Sequence, residues 1–224
     1  MKLLSFNPNV GQTDLTDPKV ITLVIENPTW YWQFSNYVYN GFPDHLGYCT
    51  LTSGEKKLDL SDNALFISNP WDLDVNSKAN LNALYKLLKK SYFEELNNSV
   101  EKIEEILEKN CQEIRLDFDA ALSINGGIRV DDIFKIGGMQ FSENDGSFLE
   151  RLTSYISIAK ELRGISLVFI NHLRDFLTKE ECKELIKELQ YRGISLVDIE
   201  THEPIYSFDN QIKFIIDHDL CILN

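Results

Sequence analysis

Short, mostly apolar runs lie towards both ends of the chain. Four of them, Val20–Ile25, Ala64–Ile67, Ile165–Ile170 and Ile194–Ile199, are rich in aliphatic residues and poor in charge. Runs of this length are typical of strands that are buried on both faces of a parallel sheet. Segments with helical spacing separate the runs, and such alternation gives right-handed crossovers between parallel strands. The pattern therefore predicts an α/β fold built from both ends of the chain.

The middle of the chain follows a helical period instead. Leucines and a tyrosine at helical spacing predict a helix over 81–96, and the apolar positions of 100–114 predict a second helix. Asn97-Asn98-Ser99 would form the break between them, since Asn and Ser favour turns and caps. A further long helix is expected over 148–162, because Gly164 follows it as a typical C-terminal stop.

These elements predict two lobes. We expect an α/β head made of 1–75 and 164–224, with an all-helical leg, 76–163, inserted into it. The strand at Val20–Ile25 leads into a helix, as in proteins that hold nucleotide phosphates in a P-loop. The required GxxxxGK[ST] motif is missing, and Glu26 would repel a phosphate. The head is therefore expected to be P-loop-like in architecture but to bind no nucleotide.

The composition restricts the location of the protein. There is no run of 18 consecutive apolar residues, so no membrane span is expected, and the first ten residues lack the apolar core of a signal peptide. The four cysteines are far apart and form no zinc motif, which indicates reduced thiols. We therefore expect a cytoplasmic protein.

The net charge of −13 argues against simple nucleic-acid binding, but the charge is unevenly distributed. Residues 78–163 contain 12 Lys or Arg against 15 Asp or Glu, whereas the remainder contains 10 against 20. The residues that could follow a DNA phosphate backbone are Lys78, Lys86, Lys89, Lys90 and Lys135. They could equally form an ordinary solvated surface that pairs with Glu94 and Glu95.

Two patterns suggest divalent cations. Asp44, Glu55 and Lys57 match the PD…ExK pattern of metal-dependent nucleases, in which carboxylates hold the ion and a lysine steadies the attacking water. This pattern is common by chance and is expected to lie in turns, so a nuclease is an alternative interpretation only. No histidine has a partner at catalytic or zinc-ligand spacing.

A second set of acids is rich in hard oxygen ligands, which suit calcium or magnesium better than zinc. It contains Asp117, Asp119, Asp131, Asp132, Glu143 and Asp145, with Asp74 and Asn76 at the other junction of the lobes. No EF-hand spacing is present. By residue chemistry alone, helix caps and solvated turns are the better interpretation of these residues.

Three segments together resemble one known family. They are Asp74-Val75-Asn76-Ser77 after an apolar strand, Phe169-Ile170-Asn171 followed by Phe176–Glu181, and the ending Ile215-Ile216-Asp217-His218-Asp219. Their order and spacing, and the chain length, are similar to those of the small spacer-acquisition protein of type II-A CRISPR systems. The resemblance covers most of the chain but is poor over the first 65 residues.

The resemblance implies a protein without catalytic activity. Members of the family form homotetrameric rings whose lysine-lined channel binds ends of double-stranded DNA without reading sequence. Calcium bound near the junction of head and leg orders the ring, and the family acts beside the integrase pair and the large RNA-guided nuclease.

The resemblance also suggests site residues. Lys135 falls where the family has a DNA-contacting lysine, Asp117 lies in the family's acidic stretch, and Asp119 replaces a nearby acid. Ala120 and Ala121 stand where relatives carry more acids. We therefore expect DNA contacts from Lys78, Lys86, Lys89, Lys90 and Lys135, and calcium ligands from Asp74, Asn76, Asp117 and Asp119. A protein scaffold that binds no DNA is a further alternative.

Overall fold

The chain folds into two units, and the larger one is built on a mostly parallel sheet with helices. The computed structural model describes residues 1–6, 10–43, 46–69, 71, 73–115, 126–142 and 144–223. The first unit comprises Met1–Val75 and Glu143–Asn224, and the second comprises Asn76–Ser142. No described helix combines the length and the apolar character that a membrane span requires.

The strands are β1 (Lys2–Phe6), β2 (Gly11–Asp14), β3 (Val20–Ile25), β4 (Cys49–Ser53), β5 (Lys56–Leu58), β6 (Ala64–Ile67), β7 (Leu167–Asn171), β8 (Ser195–Glu200), β9 (Ile212–Ile216) and β10 (Ile222–Leu223). The helices are α1 (Pro28–Tyr39), α2 (Leu60–Asn63), α3 (Lys78–Ser91), α4 (Phe93–Arg115), α5 (Val130–Ile136), α6 (Phe148–Arg163), α7 (Leu173–Phe176) and α8 (Lys179–Tyr191).

The larger sheet has six strands in the order β10-β9-β3-β8-β7-β6. Strands β6, β7, β8, β3 and β9 pair in parallel, and β10 adds an antiparallel edge. Every residue of β3, β7 and β8 is buried, as expected of strands covered on both faces. The α/β class and the parallel sheet are therefore confirmed.

A smaller antiparallel sheet, in the order β2-β1-β4-β5, lies in the same unit. Strands β4 and β5 form a hairpin, and Gly54 supplies the positive φ of 61° that its turn requires. Strand β2 has the polar sequence GQTD and was not predicted. Its hydrogen-bonded partner is β1, which also pairs with β4 on its other side.

Helix α6 belongs to the α/β unit. Its buried residues Leu152, Ile156 and Ala159 share a core with Val168 of β7 and Leu196 of β8. The sequence analysis assigned this helix to the helical lobe, with a boundary after residue 163. The structure differs: α6 is amphipathic and buries its apolar side in the core beside the sheet, so the second unit already ends at Ser142.

The helical unit contains α3, α4 and α5 around a small core of Val100, Val130 and Phe134. The break between its first two helices is at Tyr92, not at the predicted Asn97-Asn98-Ser99, which lies inside α4. The Ser99 hydroxyl donates to the Glu95 carbonyl at 2.9 Å. This bond to the preceding turn lets a serine continue a helix that its intrinsic preference would end.

Candidate nucleic-acid interface

Helix α3 carries four of the five predicted DNA-binding lysines. It begins after Ser77, whose hydroxyl accepts a hydrogen bond from the Asn80 backbone N–H at 3.4 Å, and it contains no acidic residue. At about 100° per residue, the lysines listed next fall within about 120° of the helix circumference. They are Lys78, Lys86, Lys89 and Lys90. The structure therefore places these four charges along one side of one helix.

A neighbouring side of α3 packs inside the unit. Tyr85 and Leu88 contact the core formed by α4 and α5, and the rings of Tyr85 and Phe134 stack with centroids 5.2 Å apart. The Tyr85 hydroxyl donates to the Met139 carbonyl at 2.9 Å. These contacts fix the rotation of α3 about its axis.

Lys135 lies in the last turn of α5, the helix that packs against α3. Its ammonium group is 3.8 Å from the Asp132 carboxylate, and Lys89 of α3 is 3.5 Å from the Asp131 carboxylate. All four side chains are partly exposed, and ion pairs of this kind contribute about 0–1 kcal/mol each. The structure thus brings the five lysines onto two packed helices, with two of them in weak pairs that a phosphate could replace.

The structure describes two of the four predicted calcium ligands. Asp117 and Asp119 lie outside the described residues. Asp74 is exposed, and the Asn76 side chain forms a double link to Phe141, donating to its carbonyl at 3.0 Å and accepting from its N–H at 2.8 Å. Within the described ranges, no three His, Cys, Asp or Glu side chains form a group that could hold a metal ion.

The residues of the nuclease alternative are also only partly described. Asp44 lies outside the described part of the chain. Glu55 is exposed in the turn between β4 and β5, and Lys57 is exposed on β5. Catalytic metal ligands are usually held by converging, rigid elements, whereas this carboxylate is at the tip of a hairpin. The geometry gives this alternative no support.

A buried ionic cluster in the α/β unit was missed by the sequence analysis. Arg174, at the start of the short α7, donates to the Asp198 carboxylate at 2.9 Å, to the Thr22 hydroxyl at 3.0 Å and to the carbonyl of Tyr206. Its guanidinium also lies 4.3 Å from the centroid of the Phe208 ring. Asp198 is fully buried, so Arg174 supplies the positive charge that allows this carboxylate to be there.

The sequence did contain a signal for this cluster. Asp198 and Glu200 are two charged residues in an otherwise apolar strand, and residues two apart point to the same face. His172, which follows β7, joins them. Its Nδ1 is 3.3 Å from a Glu200 oxygen, and its Nε2 is 2.9 Å from the Tyr31 hydroxyl. Charge at alternate positions of a buried strand indicates a cationic partner, but the sequence does not show that the partner is Arg174.

The cluster raises two pKa values. Burial, with repulsion from the Glu200 carboxylate, raises the pKa of Asp198 to about 7. The hydrogen bond to Glu200 raises the pKa of His172 above its ordinary value. In both groups the folded state therefore favours the protonated form.

This predicts that the free energy of unfolding falls, by about 2 kcal/mol, as the pH rises from about 5 to about 8. The contribution of Asp198 is complete below its unfolded pKa of about 3.9 and is lost as the pH passes about 7. The contribution of His172 is complete below about pH 6.5, its unfolded pKa, and is lost as the pH rises past its higher pKa in the folded state. Urea denaturation at several pH values measures the change. Asp198→Asn should flatten the dependence, and stability that rises over this range would contradict the assignment.

The comparison with protein families agrees with the resemblance noted from the sequence. The family model described as CRISPR-associated protein (Cas_Csn2) matches residues 45–220, more than three quarters of the chain. A search of curated proteins gave no match. The matched range includes α3, α5 and most of the six-stranded sheet. The chain therefore belongs to the CRISPR-associated Cas_Csn2 family, as the resemblance to the type II-A spacer-acquisition proteins had indicated.

Proposed function

We propose that this CRISPR-associated protein is a non-catalytic, sequence-independent binder of double-stranded DNA ends that acts in spacer acquisition. The observation that carries the proposal is α3, a helix with four lysines on one side and no acid. Lysines that contact phosphates release condensed counterions, and this gives affinity without reading the bases. The lysine of α5, Lys135, extends the same basic surface.

A homotetrameric ring reconciles this surface with the acidic chain. The helical unit, Asn76–Ser142, contains nine Lys or Arg and eleven Asp or Glu, so the unit as a whole carries no excess of positive charge. Four copies that turn their α3 helices inward would surround a duplex with lysines. Their acidic outer surfaces would keep DNA from binding elsewhere. Only a DNA end can enter a closed ring, and this accounts for the proposed preference for ends.

Helix α4 supports self-association. At about 100° per residue, Ile103, Ile106, Leu107 and Ile114 fall within about 100° of the helix circumference, and each side chain is exposed. Such residues form an apolar stripe that helices usually bury against another helix. The stripe is not part of the core of its own unit, which makes a second copy of the helical unit a suitable partner.

Calcium is proposed as the ion that orders the ring. The proposed ligands, Asp74, Asn76, Asp117 and Asp119, offer three carboxylates and one amide oxygen, and calcium prefers such hard ligands. Asn76 is chemically suited to this role, because an amide oxygen is a hard, neutral ligand of the kind that calcium accepts beside carboxylates. The proposed protein partners are the integrase complex and the RNA-guided nuclease of the same locus.

The test compares linear with covalently closed circular DNA of the same sequence, in gel shifts with calcium and with a chelator. We expect linear DNA to bind more tightly, binding to weaken steeply with salt, and light scattering to show a tetramer with calcium. Equal binding to both forms would contradict the ring. No binding to either would favour a protein scaffold, and magnesium-dependent cleavage that is lost in Asp44→Ala would favour a nuclease.

A further inference from the structure

Two adjoining cavities open at the edge of the six-stranded sheet. The first, of about 230 Å³, is lined by Trp32 and Tyr39 of α1, by Phe66 and Ser68 at the end of β6, and by Asn171 at the end of β7. Strands β6 and β7 are parallel neighbours, so the cavity lies at their carboxyl ends. In open α/β sheets, ligands usually bind at this edge.

The helix α1 presents a polar and aromatic stripe to the first cavity. Trp32, Ser35, Asn36 and Tyr39 are spaced by three or four residues and therefore share one face of the helix. Trp32 is 66% exposed and Tyr39 is 70% exposed, although the same helix buries Phe34 and Tyr37 in the core. Two large aromatic side chains are thus left at the mouth of a cavity, where they can stack on a planar ligand.

Asn171 is a buried polar residue in the lining of this cavity. The residue is 9% exposed, and its Oδ1 atom is buried with no hydrogen-bond partner among the described residues. An unpaired buried acceptor is costly, and a ligand that donates to it would remove the penalty. An amide also offers donors beside its acceptor, which is the pattern that asparagine uses to pair with adenine.

The second cavity, of about 380 Å³, shares Tyr39, Phe66 and Ser68 with the first and is also lined by Ser61 and Arg163. Arg163, the last residue of α6, takes part in no ion pair among the described residues. Its guanidinium is suited to a phosphate, which it can bind through two parallel N–H donors. An anion site therefore adjoins a site for a flat, hydrogen-bonding ring.

Against the expectation, drawn from the missing P-loop motif, that the α/β unit binds no nucleotide, we propose that these cavities bind one adenine nucleotide, with the base between the aromatic side chains and Asn171, and the phosphate at Arg163. The site is separate from the β3–α1 loop, where a P-loop would lie, and one arginine suits a single phosphate rather than a triphosphate. The same chemistry could come from a free mononucleotide or from an unpaired adenine at a DNA end. The proposal does not depend on the basic surface of α3 and α5.

Calorimetric titration with AMP and with adenosine tests the site. We expect AMP to bind and Trp32→Ala to weaken its binding about tenfold, since stacking on an aromatic side chain is lost. Asn171→Ala should lower the affinity for both AMP and adenosine, whereas Arg163→Ala should lower the affinity for AMP and leave that for adenosine unchanged. Trp71→Ala is the matched control, because Trp71 is also an exposed tryptophan of the α/β unit but does not line either cavity.

A second titration identifies the source of the base. It uses a duplex with a single unpaired adenine at each 3′ end and a blunt duplex of the same sequence. A preference for the overhang that Trp32→Ala abolishes would support the site and assign it to DNA ends, and AMP binding without this preference would assign it to free nucleotide. If Trp32→Ala changes neither the affinity for AMP nor the preference for the overhang, the proposal is wrong. Blunt-end binding through α3 should persist in Trp32→Ala, so the two proposals fail separately.

Discussion

Replacing both Lys86 and Lys90 with alanine is expected to weaken binding to blunt linear DNA by at least about tenfold at low salt. The two side chains are exposed, one helical turn apart, and neither takes part in an ion pair among the described residues. Each lost phosphate contact should also reduce the slope of log affinity against log salt by about 0.9. Fluorescence anisotropy at several salt concentrations measures both quantities.

Helix α8 offers a matched control for this experiment. Lys183 and Lys187 are also exposed and one turn apart, but they lie in the α/β unit. Their double replacement changes the net charge by the same amount and should leave the salt slope unchanged. An equal loss in both variants would indicate a general effect of charge, and no loss from α3 would place the interface elsewhere.

Arg174→Ala is expected to lower the free energy of unfolding by about 3–5 kcal/mol. The substitution would leave Asp198 fully buried without its cationic partner, and it would remove the hydrogen bonds to Thr22 and to the carbonyl of Tyr206. The free energy of unfolding of Arg174→Lys should lie between those of the unsubstituted protein and Arg174→Ala. An ammonium group keeps the charge but cannot reproduce the planar fork of donors. Urea denaturation at constant pH measures the difference.

The control for this change is Arg192→Ala. Arg192 is 2.6 Å from Glu188 and 3.7 Å from Glu161, so it also makes ion pairs. Its side chain is partly exposed, and pairs of that kind contribute no more than about 1 kcal/mol. If the two alanine variants lost similar stability, the cluster around Arg174 would not be the strong interaction that its burial indicates.

The parts of the fold that depend on local pattern were predictable. The buried strands β3 and β6 were placed correctly from apolar runs, and β7 and β8 to within a residue or two, because burial on both faces leaves an uninterrupted signal. The lysines of α3 were found in the same way, since their separation from the apolar positions is a property of one helix.

Features that depend on tertiary contacts were not predictable. The break at Tyr92 was missed because Asn97-Asn98-Ser99 has the composition of a turn, yet it continues α4. The polar strand β2 exists only through its pairing with β1. The cluster around Arg174 joins residues from α7, β3 and β8, and only the fold brings these elements together. Asn171 could not be recognised as a cavity residue without the neighbouring α1.

The described part of the chain has three hydrophobic cores, and their separation has a consequence for how the protein can change. Two cores draw all their residues from the α/β unit, and the third draws all of its residues from Asn76–Ser142. A substitution in one unit therefore need not be compensated by repacking in the other. Exposed residues of the helical unit could therefore change during evolution while the packing of the α/β unit stays under separate constraint.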